Sequence, residues 1–103
     1  MKTTGTIDLS ASRVISGQVP ISKLFTIDFK SDDLSGDTDW KLKQGTSEDD
    51  MGYVQNNGSD EGGTLVSGQM ASRTYEGQPG IYFEFEFQGV TTGEVAYTIK
   101  TDY

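Results

Sequence analysis

Ten carboxylates fall within 34 residues, at Asp28, Asp32, Asp33, Asp37, Asp39, Glu48, Asp49, Asp50, Asp60 and Glu61, against only Lys30, Lys41 and Lys43. Loops that rich in oxygen could hold calcium, which takes about six to eight carboxylate and carbonyl ligands. The spacing does not demand it, because no alternating D-x-D-x-D-G run with a later Glu is present. A solvated acidic surface is the expectation, and no cofactor or metal is assigned. Paired carboxylates also cleave glycosidic bonds when they face each other across a cleft. Glu84 and Glu86 make such a pair in sequence, but they belong to the solvent face of one strand in a chain too small for a deep cleft. Cys and His are absent, which removes disulfides, thiol nucleophiles, the common zinc sites and His-dependent triads. The serines therefore lack their usual base. Gly62-Gly63-Thr64 and Gly77-Gln78-Pro79-Gly80 read as turns rather than phosphate cradles, since neither leads into a helix or a Lys. These exclusions point away from an enzyme.

The elements that would position these groups are strands. Ile81, Phe83, Phe85 and Phe87 alternate with Tyr82, Glu84, Glu86 and Gln88, a period of two that places the rings on one face and the carboxylates on the other. After Gly89-Val90-Thr91-Thr92-Gly93, the residues Val95, Tyr97 and Ile99 alternate in the same way, so residues 81–101 read as a β-hairpin. Phe25, Ile27 and Phe29 mark another strand, and Trp40, Leu42 and Gln44 a further one. Leu34 is the apolar anchor in the turn-rich stretch between them. Thr6–Leu9, Val19–Ile21, Tyr53–Gln55, Thr64–Val66 and Arg73–Tyr75 are weaker strand candidates. Residues 45–63 read as a mobile loop around one apolar island at Met51–Val54. About seven to nine short strands result, the number expected of an all-β antiparallel sandwich, immunoglobulin-like or jelly-roll.

The chain's 103 residues suit one domain spanning 1–103. Its apolar residues are few but ring-rich, so the expected core is Phe25, Ile27, Phe29, Trp40, Leu42, Ile81, Phe83, Phe85, Phe87, Val95, Tyr97 and Ile99. A net charge of −8 repels nucleic-acid backbones and anionic membranes, so neither is an expected partner, although an acidic surface could mimic DNA toward a basic protein. No run of apolar residues is long enough to span a membrane. The polar opening Met1-Lys2-Thr3-Thr4-Gly5 offers no signal-peptide core, which gives synthesis in a cytoplasm as the expectation. Trp40 shares its phase with Leu42 and is expected in the core rather than on a ligand platform. Tyr53, Tyr75, Tyr82 and Tyr103 are the candidate contact surface, because tyrosine combines ring area with a wet hydroxyl.

The stretch from Phe25 to Gln44, F-T-I-D-F followed by D-L-S-G-D and W-K-L-K-Q, resembles small β-sandwich proteins among the structural genes of bacteriophages. The Thr- and Gly-rich close from Val90 to Tyr103 is similar too. That resemblance implies a virion role, as a capsid decoration, spike or vertex protein. The order of Phe25-Thr26-Ile27-Asp28, Trp40, Gly62-Gly63-Thr64 and a final hairpin is similar to chagasin-type inhibitors of cysteine proteases, but the inhibitory loop motif and the terminal R-P-W element are missing. The expected partners are other copies of the chain or capsid proteins, because an open sandwich leaves strand edges unpaired. A carbohydrate-binding or adhesion module is the alternative reading.

Overall fold

The computed structural model describes residues 2–18, 24–76 and 81–101. Among them, strands build two antiparallel sheets packed face to face, with one small finger. The first sheet is ordered β1 (Lys2–Asp8), β11 (Glu94–Thr101), β3 (Leu24–Lys30), β9 (Met70–Glu76). The second is ordered β2 (Val14–Gln18), β10 (Tyr82–Phe87), β4 (Thr38–Ser47), and the far edge of β4 is shared by β5 (Asp50–Tyr53) and β8 (Gly62–Leu65). The finger is β6 (Gln55–Asn56) with β7 (Ser59–Asp60). The all-β antiparallel class read from the alternation is what the chain adopts.

Period-two alternation explains the core. Phe25, Ile27 and Phe29 turn inward from β3, while Phe83, Phe85 and Phe87 turn inward from β10 and Trp40 and Leu42 from β4. Phe29 packs edge-on against Trp40, Phe85 and Phe87 at centroid separations of 5.3, 5.4 and 5.1 Å. Each such pair adds about 0.5–1.5 kcal/mol beyond the area it buries. Leu9, Ile15, Leu65 and Val95 complete the buried set, and Leu34, Ile81, Tyr97 and Ile99 pack against it from the rim.

Four expectations are corrected. Residues 81–101 are not a hairpin: β10 pairs with β2 and β4, whereas β11 pairs with β1 and β3. Residues 88–93 form an arch that carries the chain from one sheet to the other. Alternation records which face of a strand is buried but not which strand lies beside it. Residues 45–63 are not a loop, because β4 runs on to Ser47 and the chain returns along it as β5, finger and β8. The finger turns at Asn57 and Gly58, both at positive φ (55° and 84°), the backbone a two-residue hairpin needs. That broken return also explains why the strands outnumber the expected seven to nine. Gly62-Gly63-Thr64 lies within β8 rather than in a turn. Val19–Ile21 and Gly77–Gly80 lie outside the described residues.

Candidate contact surface

The outward residues of β10, β4 and β5 form one polar field. Register sets Glu84 beside Lys43 and Glu86 beside Lys41, with Tyr53 beside Lys43 on the other flank. Lys43 Nζ lies 3.8 Å from Glu84 Oε2, and Lys41 Nζ lies 2.9 Å from Asp60 Oδ2 on the finger. Tyr53 stands on β5, yet its hydroxyl donates to Glu86 Oε1 on β10 at 2.8 Å. Crossing β4 means spanning roughly 10 Å, two strand spacings. The phenol therefore lies along the sheet instead of standing off it. Both lysine ammoniums sit over its ring, 5.5 and 5.2 Å from the centroid, and Tyr53 stays 39% exposed.

The electrostatics of this field push every shifted group away from neutrality. Gln88 and Tyr53 both donate to Glu86 and hold its carboxyl below its ordinary value. The bond to Glu86 in turn raises the Tyr53 phenol. Lys41, with help from Gln55, lowers Asp60, and Asp60 raises Lys41. On the opposite sheet, the Ser72 hydroxyl at 2.6 Å and then Lys100 lower Asp28. A general acid or base needs a shift in the other direction, toward the working pH. This arrangement holds fixed charges and hydrogen bonds.

The remaining candidates are scattered. Tyr75 turns inward, its ring 5.6 Å from Phe25 and 6.1 Å from Phe85, and its hydroxyl donates to Glu61 Oε1 at 3.1 Å. Burial, with Glu61 adding to it, drives its phenol well above the ordinary value. Tyr82 is half-buried at the start of β10, opposite Gln18 and Gly45, beside an open hollow of about 540 Å³ that Glu48, Asp49 and Met51 also line. Tyr103 lies outside the described residues. Trp40 is buried, as its phase with Leu42 indicates, and the Arg73 guanidinium lies over its ring at 5.7 Å.

The ten carboxylates do not gather. Asp32, Asp33 and Asp37 sit at one end of β4 and Glu48, Asp49 and Asp50 at the other, roughly 30 Å apart along a ten-residue strand. Among the described residues no three of them converge where an ion could be held. Several serve the chain itself: Asp33 Oδ1 accepts from the Ser31 hydroxyl and the Glu94 N–H, and Asp39 Oδ1 from the Thr64 hydroxyl. The residue that organises this end is Arg13, which the sequence reading passed over. Its Nε donates to Phe87 O at 2.8 Å, Nη1 to Thr91 O at 2.8 Å and Leu9 O at 3.3 Å, and Nη2 to Gln88 O at 3.0 Å. Its one sequence signal is an arginine in the turn-rich run between β1 and β2.

No family model and no curated protein sequence matches the chain. Solved structures match its fold. The mitogen derived from Yersinia pseudotuberculosis superposes over 98% of this chain and 84% of that one, with a TM-score of 0.54 and 11% identity. The SPBc2 prophage-derived protein YomS does so over 96% and 92%, with a TM-score of 0.50 and 12% identity. The N-terminal cellulose-binding domain of a Cellulomonas fimi β-1,4-glucanase covers 87% and 68%, at 0.47 and 14%. Identities this low speak to the fold alone. The chain shares its β-sandwich with a bacterial mitogen and with a prophage-derived protein.

Proposed function

We propose that this chain is a non-enzymatic structural protein of a bacteriophage particle, a decoration, spike or vertex component made in the host cytoplasm and working through protein contacts. The observation that carries this reading is how the outer face of the second sheet is used. Lys41, Lys43, Tyr53, Asp60, Glu84, Glu86 and Gln88 spend their polar groups on one another, and Arg13 fixes the end loops in place. What remains for a partner is a rigid body with end loops and strand edges, the equipment of an assembly component. The strand-turn-strand around Trp40 supports it, as does a fold shared with a prophage-derived protein along nearly the whole of both chains. Mass spectrometry of purified particles tests the reading: a fixed copy number per virion is expected, and absence from intact virions overturns it. A carbohydrate-binding role is the second reading, favoured by the half-exposed Tyr53 ring among carboxylate and amide groups. Saturable binding on a glycan array, lost in Tyr53→Ala, would establish it in place of the first.

A further inference from the structure

The free edge of β1 is complementary to itself, and we propose that it pairs with β1 of a second copy about a two-fold axis through Gly5. Among the described residues, β1 has β11 on one side and no strand on the other. Leu9 N–H bonds to Gly93 O at 2.9 Å, in step with the β1–β11 register. Antiparallel ladders alternate, so Thr3, Gly5 and Ile7 spend their main-chain groups on β11, whereas Lys2, Thr4 and Thr6 direct theirs to the open edge. The Asp8 carbonyl accepts the Ala11 and Ser12 N–H groups of the next turn at 2.9 and 2.8 Å, and its Oδ1 accepts the Ser10 N–H. A two-fold pairing through Gly5 joins the main-chain groups of Thr4 and Thr6: Thr4 faces Thr6 of the second copy, and Lys2 faces its Asp8, where the side chains rather than the Asp8 carbonyl make the contact.

The residue types suit this register and no neighbouring one. Lys2, Thr4, Thr6 and Asp8 share the outer face, so each interface would hold two Lys–Asp and two Thr–Thr cross-strand pairs, both favourable kinds. Shifting the axis to Thr4 or Thr6 loses the ion pairs. Gly5 meets Gly5 in a pair without main-chain bonds, where Cα atoms approach to about 4.5 Å. The chain's own packing keeps glycine there, because the Tyr97 ring lies across it and a Cβ would overlap Tyr97 Oη. From Thr3 to Ile7 there is no charge and no proline, the devices that keep edges apart. The other edge of the same sheet carries one. In β9, also seven residues long, two-fold pairing about the centre would set Arg73 against Arg73.

A seven-residue edge is small beside standard interfaces, so association is weak in free solution and strengthens wherever copies are concentrated on a surface. Sedimentation of the purified chain up to about 1 mM should show a monomer–dimer equilibrium. Lys2→Glu and Asp8→Lys each place like charges opposite one another twice, and each should weaken the dimer about tenfold at low salt, with the double variant restoring it. The chain has no cysteine, so Thr4→Cys and Thr6→Cys report register directly. Under mild oxidation a mixture of the two should cross-link faster than either variant alone. A monomer throughout, no rescue in the double variant, or faster linkage of one cysteine variant to itself would overturn the proposal. The outcome is separate from the particle reading, since a dimer of a chain absent from virions removes that reading and leaves this edge intact.

Discussion

Replacing Arg13 by alanine should destabilise the chain by about 3 kcal/mol, because one side chain holds the arch between the sheets. The guanidinium donates to Phe87 O, Thr91 O and Gln88 O within 3.0 Å, and to Leu9 O at 3.3 Å. Bonds from a charged donor are worth about 1.5–3 kcal/mol each when their acceptors stay dry. Arg13 is half-buried, so water reaches part of the vacated site, and about 1 kcal/mol for each of the three short bonds is the better figure. Against a typical total of 5–15 kcal/mol that is a large share. For a domain of this size it lowers the melting temperature by about 12–24 °C. Urea and thermal unfolding read by the fluorescence of Trp40, the single tryptophan, measure it. Arg13→Lys is the informative control: an ammonium offers donors from one point and cannot span carbonyls on two sides of the arch, so it should recover less than half of the loss. Hydrogen exchange should quicken first at the Thr92 and Glu94 amides, which bond to Ser35 Oγ and Asp33 Oδ1 across the same arch. A loss below about 1 kcal/mol, or a lysine variant as stable as the parent, would refute the idea that the guanidinium fork fixes the crossing.

Phe85→Ala removes the ring at the centre of the aromatic cluster, in contact with Phe25, Phe29, Trp40, Tyr75 and Phe83, and should cost about 3–5 kcal/mol in urea unfolding. Acid should destabilise the fold through Asp28 and Glu86: both carboxyls are held below their ordinary values when folded, so their stabilisation is present above the unfolded carboxylate range of about 4 and is lost as pH falls through the depressed folded values. A pH series of melting temperatures flat from neutrality to below that range would contradict it. Tyr53→Phe removes one of the donors to Glu86 and should move that carboxyl's titration upward, as read by carboxyl carbon resonances. An unchanged Glu86 titration would mean that the phenol does not lie down across β4 in solution.

The strands were legible wherever large apolar residues recur every second position, as in Phe25–Phe29, Trp40–Leu42 and Ile81–Phe87, because a half-buried strand must alternate. Leu9, Ile15 and Leu65 escaped the expected core because alternation around them is too short to mark a face: Leu9 has only Ile7 two positions before it, and Ile15 and Leu65 each adjoin a second apolar residue, Val14 and Val66. The finger at Gln55–Asp60 was written in Asn57-Gly58, a strong hairpin signal, yet the surrounding acidic and glycine residues gave it the composition of a loop. The Tyr53–Glu86 bond joins residues 33 positions apart and rests on β5, β4 and β10 lying side by side, an arrangement no local pattern encodes.

The missed crossing has the same origin and shows what selects it. A hairpin and an arch can use the same short connection, and Phe83 and Val95 face the core in either. The difference lies in what receives the connection. Gly93 sits at φ 128° with Asp33 O close to where a side chain would begin, so the arch seats against the turn before β4. Asp33 Oδ1 then accepts the Glu94 amide, and the Ser35 amide donates to Thr92 O. Arg13 grips the opposite side. Each contact links the arch to the β1–β2 or β3–β4 connection, and all are made with β10 and β11 in opposite sheets. Without these partners the exposed Asp33 carboxylate and Ser35 amide would turn to water at little cost, whereas the half-buried guanidinium would lose acceptors that water only partly replaces. Arg13 therefore holds the crossing more firmly than Asp33 or Ser35 does, which is why the variant at Arg13 is expected to loosen the crossing before it disturbs either sheet.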